Sequence, residues 1–293
     1  MAARVRRLAL CLLLGAGWFA GAAGLARSSG ARASDFWEEV RNPGMRAHGR
    51  DMAAGRAALA ERQYAQALTA ANRARDRHPE RADAHVLRAL ALSGLGHRQD
   101  ALEAAREALR LDSAAFDAPH EGGGMATTAA EAGDFALAAE ILGRLVRMMR
   151  PSGLRRFLYA LYADVLSALG PEREQDCVRA YQIATRARAA VDPRVAIGLA
   201  IALHRRGEVE RAAELARSAQ RVGDLATFLA LLPLPEEERA ARLAVAAEAA
   251  EQSETASEHW ARAAAGGPWA EHASAQLERL NEAAATPPRR GRR

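Results

Sequence analysis

Lysine is absent from the 293-residue chain, so all 41 of its basic side chains are arginine. That bias suggests a GC-rich bacterial genome, and it removes the lysine that a phosphate-binding loop requires. Aromatic residues make up only 5% of the chain, and no stretch alternates apolar and polar residues long enough to argue a sheet. Cysteine occurs twice, at Cys11 and Cys177. Cys11 falls in an apolar leader, with Leu10 where a lipoprotein box wants a small residue. Cys177 is then alone, so no internal disulfide can form and the fold must be held by packing. What is abundant is alanine, leucine, arginine and glutamate, all strong helix formers. The expected class is all-α.

The formal net charge of +5 is carried by the ends of the chain. Residues 1–33 hold five arginines and no acid, and the closing "PPRRGRR" holds four more, which leaves 32 arginines against 36 acids. A nucleic-acid binder concentrates positive charge on its folded surface to neutralise phosphates. This body, with a net charge of −4, does not, and no nucleic-acid partner is expected.

The first residues read "MAARVRRLALCLLLGAGWFAGAAGLARSSGARAS". A basic start at Arg4, Arg6 and Arg7 precedes an apolar run from Leu8 to about Ala26 and then small residues, the layout of a secretory signal peptide. Cleavage could fall after Ala23, Ala26 or Ala33. The run is also long enough to cross a bilayer core of about 30 Å, so residues 1–33 are either a signal peptide or an N-terminal membrane anchor. Both place the body outside the cytoplasm, in the periplasm or another extracytoplasmic compartment.

Residues 82–115, "ADAHVLRALALSGLGHRQDALEAAREALRLDSAA", divide into a helix from about Asp83 to Leu95, a stop at Gly96 and a second helix to Leu111. Shifted back 34 residues the unit recurs, with Ala67 answering Ala101 and Ala74 answering Ala108. Less regular copies follow around Gly133 and Ala138, around Ala163 and Gly170, and around Ala200, Gly207, Ala212 and Ala219. "PEREQDC" reads as a longer loop in the fourth copy, and Pro233 and Pro235 break the chain before a weak sixth. A period of 34 built from helix, turn and helix, with Gly55 and Ala89 at the small position of the first helix, resembles the tetratricopeptide repeat family. The resemblance covers roughly residues 46–265. It implies a right-handed α-solenoid in which small residues let helices approach and neighbouring hairpins bury each other's apolar faces.

The expected organisation is a lead-in at 34–47, a solenoid of five to six repeats over 48–265 (48–81, 82–115, 119–151, 154–190, 193–224 and 236–265), a capping helix at 266–282 and a disordered basic tail at 283–293. Trp37, Trp260 and Trp269 read as end-caps of the solenoid.

No constellation argues for chemistry. "HEGGGM" at 120–125 lacks the second histidine of a zinc-protease helix, since Gly124 stands there. It reads as an irregular helix start and, with three consecutive glycines, a hinge. His259 and His272 each follow a glutamate, at spacings that match no metal template. No catalytic, cofactor-binding or metal-binding residues are assigned, and an enzyme is not expected.

The family resemblance implies a groove lined by first helices that holds peptides or partner helices. Its groove positions fall on Met52, Arg56, Leu59, Val86, Leu90, Thr127, Glu131, Asp164, Ile197, Ile201 and His204. The lysine and asparagine clamp of chaperone-binding members is missing. The expected function is a non-enzymatic scaffold or adaptor for a protein partner in a bacterial envelope machine of the secretion, motility, pilus or outer-membrane assembly type. The alternative is an accessory subunit, or a glycan- or peptidoglycan-binding helper, of an envelope enzyme.

Overall fold

The computed structural model describes residues 40, 43–150, 153–185, 192–220 and 224–285. The signal or anchor at 1–33, Trp37 and the end of the basic tail lie outside the described residues. The chain divides into two units, Met1–Met45 and Arg46–Arg293. The hairpins belong to the second unit, with Met45 alone opening the first helix from the other side of the division.

Fourteen α-helices, and no strand, occur among the described residues. They pair as antiparallel hairpins: α1 (Met45–Ala60) with α2 (Tyr64–Arg77), α3 (Ala82–Leu95) with α4 (Arg98–Leu111), α5 (Pro119–Glu131) with α6 (Phe135–Met148), α7 (Gly153–Leu169) with α8 (Glu174–Thr185), and α9 (Pro193–Arg205) with α10 (Val209–Gln220). A short α11 (Leu225–Leu229) then precedes the pair α12 (Glu236–Ala249) and α13 (Ser253–Ala263), and α14 (Ala270–Ala285) packs on α13. The second helix of each hairpin touches the first of the next, and first helices also touch one another, α3 with α5, α5 with α7, α7 with α9 and α9 with α12.

The small residues sit where close approach demands them. Ala67, Ala74, Ala89, Ala101, Ala108, Ala138, Ala163, Ala200 and Ala212 are completely buried. At Gly55 a methyl group would lie 3.2 Å from Ala70 Cβ in α2 and 2.4 Å from Leu87 Cδ2 in α3. Leucines fill the space beside these contacts, Leu87 and Leu102 among them.

Every hairpin turns on one residue with positive φ: Arg62, Gly96, Gly133, Gly170, Gly207 and Glu251. At Gly96 the backbone N–H returns to the carbonyls of Leu92 and Ser93, closing orphan acceptors at the helix end as a left-handed cap does. These turn residues show that the 34-residue spacing holds once, from Arg62 to Gly96, and widens to 37 at each of the next three steps. The first extra residues lie between α4 and α5, where Phe116 folds inward and is 2% exposed.

Three local expectations change. "PEREQDC" is helical, a 3₁₀ turn at Pro171–Arg173 running directly into α8, because Gly170 (φ 133°) makes the turn alone. "HEGGGM" lies inside a regular α5 and is not an irregular start. There Pro119 opens the helix, and Gly122 and Gly123 are buried against the Phe116 carbonyl, Leu145 and Leu158. The last helix runs to Ala285, three residues into the stretch expected to be tail, because helix formers continue until Pro287.

Candidate functional site

The first helices place their groove-facing side chains very differently in the two halves of the stack. In α1 and α3, Met52, Arg56, Val86, Leu87 and Leu90 meet in one open pocket of about 70 Å³, with Asp83, Ala115 and Glu121 at its rim. Arg56 is exposed and Leu90 half-buried, while Met52 (5% exposed), Val86 (7%) and Leu87 (2%) form a buried floor and Leu59 packs beside Ala67. Asp83 bridges the two helices, since His48 Nε2 on α1 lies 3.2 Å from its carboxylate and Arg81 Nη2 lies 2.9 Å away. Burial works against that charge, but the hydrogen bonds from Arg81 and His48 outweigh it and hold the carboxyl below its usual range.

In α5, Thr127 is half-buried and donates its hydroxyl to the Gly123 carbonyl of its own helix. Glu131 is exposed and accepts from Arg98 at 3.2 Å. Beside that pair a larger cavity of about 490 Å³ opens between the α5–α6 turn and the stretch Leu231–Pro235, walled by Phe135, Leu231, Leu232 and Leu234, with Arg239 at its edge.

The other four expected groove residues are inside the protein. Asp164 is 1% exposed, Ile197 and Ile201 are 0% and His204 is 4%. The reason is α12, which lies against α9 and reaches α7, and α14, which covers the end of α9. Every residue of α9 from Arg194 to His204 is buried as a result. These four therefore do not line an open groove.

Asp164 instead anchors a buried ionic cluster. Its carboxylate accepts from Tyr181 Oη (α8, 2.5 Å), Arg194 Nε (α9, 2.5 Å) and Arg242 Nη2 (α12, 2.8 Å). Arg242 also donates to Glu238 (3.0 Å), which accepts from Ser167 of α7 (2.7 Å) and from the Trp269 indole. Burial opposes the Asp164 charge, yet the two guanidinium groups and the Tyr181 hydroxyl outweigh it and keep the carboxyl low. Burial pushes the neighbouring Cys177 thiol up, so it has no thiolate character and reads as a packing residue.

His204 belongs to a second cluster. Its Nδ1 is 3.1 Å from His272 Nε2 on α14, and its Nε2 is 3.6 Å from Glu248, which also accepts from Trp260 (2.6 Å) and Arg279 (2.5 Å). Burial first, and then the neighbouring His204 and Arg205, push the His272 pKa from 6.5 down to about 4. Burial raises Glu248, but the nearby His204 and the hydrogen bonds from Trp260 and Arg279 prevail and hold it at about 2. A fold that favours neutral His272 has that stability in full above pH 6.5 and loses it as pH falls from there to about 4. Glu248 contributes above 4.5 and is lost only toward 2. Thermal unfolding followed against pH should therefore show a first loss of about 1–2 kcal/mol between pH 6.5 and 4, after discounting for the solvent that reaches the ring. His272→Gln should flatten that window, and an unchanged profile would remove His272 as its source.

Sequence reasoning missed both clusters, whose members come from helices far apart in the chain. The one local signal was Glu238 and Arg242, four residues apart on an otherwise alanine-rich helix.

The described residues thus form a helical-repeat protein whose close-packing alanines lie at tetratricopeptide-type positions. No family model and no curated protein matches the sequence. Among solved structures, the chain is similar to PilF of Pseudomonas aeruginosa, at 17% identity over 79% of this chain and 98% of that one, with a TM-score of 0.44. It is similar to YrrB, a TPR protein with an unusual peptide-binding site, at 17% identity over 74% and 98%, with a TM-score of 0.42. It is also similar to the C-terminal part of a TPR repeat-containing protein of Cytophaga hutchinsonii, at 14% identity over 80% and 89%, with a TM-score of 0.45. At such scores the likenesses decide nothing about what this chain binds.

Proposed function

We propose that this chain is a non-enzymatic adaptor that holds a segment of a protein partner against the inner faces of α1, α3 and α5, within a bacterial cell-envelope complex of the secretion, motility, pilus or outer-membrane assembly type. One observation carries the reading. Between α1 and α5 the inner face keeps a small open pocket, walled by half-buried Leu90 and exposed Arg56 over a nearly covered floor of Met52 (5% exposed) and Val86 (7%), whereas α12 and α14 have filled the remainder. Half-buried Leu90 beside exposed Arg56, with Asp83 at the rim already paired to Arg81, suits a peptide that brings an apolar residue and one carboxylate to the Arg56 side. The envelope location rests on the leader-like pattern of residues 1–33. A glycan-binding role would call for exposed aromatic faces, and Trp260 and Trp269 are 0% and 1% exposed.

A photo-crosslinking side chain placed at Leu90 in cells should join the chain to a partner, and Arg56→Glu should abolish that adduct. An adduct that survives Arg56→Glu, or one that forms only from Leu231, would overturn the placement.

A further inference from the structure

The joint between α6 and α7 stands out from the acidic body. No carboxylate occurs from Ile141 to Ala163, while that stretch carries Arg144, Arg147, Arg150, Arg155 and Arg156. Arg144 is tied to Asp117 across the α4–α5 connection, and Arg155 lies over the Tyr159 ring at 5.2 Å. Arg147, Arg150 and Arg156 have no hydrogen bond or ion pair among the described residues. Arg147 and Arg150 are exposed and Arg156 is half-exposed. Between them two large apolar side chains face water, Met148 at 53% and Phe157 at 38%. The two helix ends meet, because Tyr159 Oη donates to the Val146 carbonyl at 3.3 Å. Glu140 and Asp117 lie on the side of a cavity lined by Arg144 and Arg147, and Asp112 and Asp176 are further carboxylates within electrostatic reach of Arg144 and Tyr162.

We propose that this joint is a membrane-contact surface that settles on anionic lipid headgroups, with Arg147, Arg150 and Arg156 over the phosphates and Met148 and Phe157 in the interfacial layer. Protein interfaces commonly mix charge signs around their apolar centre. A patch in which unpaired arginines outnumber the flanking acids Glu140 and Asp117, with apolar tips, matches the headgroup region of a bilayer, where cations and buried apolar side chains both gain. The inference stands apart from the groove: its residues lie on a different joint and none of them lines the α1–α3 pocket.

The test uses the full chain with Cys11→Ser and Met148→Cys. A thiol-reactive spin label then attaches at position 148 alone, since Cys177 is buried. With vesicles of phosphatidylcholine containing phosphatidylglycerol, the label should become shielded from a water-soluble nickel chelate, and raised salt should release it. With phosphatidylcholine alone it should stay accessible, even where the apolar leader holds the chain on the vesicle. Combined Arg147→Glu, Arg150→Glu and Arg156→Glu should abolish the shielding while leaving the helical signal unchanged. Equal shielding by neutral vesicles, no shielding by either, or full shielding of the triple variant would each overturn the proposal. Shielding by poly-glutamate but not by vesicles would assign the patch to an acidic protein and equally overturn it. Should the triple variant lose its helical signal, salt release of the parent chain decides the matter.

Discussion

Asp164→Ala should lower stability by about 3–5 kcal/mol, because it leaves the Arg194 guanidinium without its carboxylate and takes one of two carboxylates from buried Arg242. Arg194 and Arg242 both donate to this carboxylate, and each already carries one buried nitrogen without a partner, Arg194 Nη2 and Arg242 Nη1. In a chain of this size such a loss corresponds to a fall in Tm of roughly 10 °C. The cluster also joins α7, α8, α9 and α12, so its loss frees the helix that fills the groove. Asp164→Leu combined with Arg242→Met should cost less than the sum of the two single changes, since removing one charge of each sign leaves the cluster neutral although Arg194 and Glu238 each lose a partner. Additive losses in that cycle, measured by denaturant unfolding, would show that the two residues act separately.

Gly122→Ala and Gly124→Ala should have opposite signs although the residues sit two apart in one helix. Alanine in a helix interior is ordinarily favoured over glycine by about 1 kcal/mol. At Gly124 the added methyl meets nothing within 4 Å, so the full gain is expected. At Gly122 it would stand 2.2 Å from the Phe116 carbonyl oxygen and 2.8 Å from Leu145 Cδ1. Backbone cannot swing aside as a side-chain tip does, and overpacking of about 3 kcal/mol overwhelms the propensity gain. Unfolding midpoints of the two variants decide it, and two stabilised proteins would mean that the α4–α5 connection yields.

The hairpins were legible in the sequence because their requirement is local. A small residue every few turns and a stop between helices leave a trace that spacing alone recovers, as at Ala67, Ala101, Gly96 and Ala108. Half of the groove was not legible. Ile197 and Ile201 face inward by the same rule as Met52 and Val86, and nothing in their own helix tells that another helix lies over them. That covering depends on Asp164 meeting Arg242, 78 residues further on. Within α12 the trace is Glu238 four residues before Arg242, beside Glu236 and Arg239 at the same kind of spacing, which any solvated helix also carries. The glycine run misled for a related reason: glycine weakens a helix alone, but Gly122 and Gly123 answer neighbours that local pattern does not reveal.

The unfilled stretch of inner surface also limits what can be read there. Three helices set about 10 Å apart give a floor of about 20 Å, which an extended polypeptide at about 3.3 Å per residue crosses in about six residues. If the proposed partner is held there, what it presents would be a short linear motif and not a long wrapped chain. Motifs of that length dissociate readily, so under the proposed function one copy of the chain would release its partner readily.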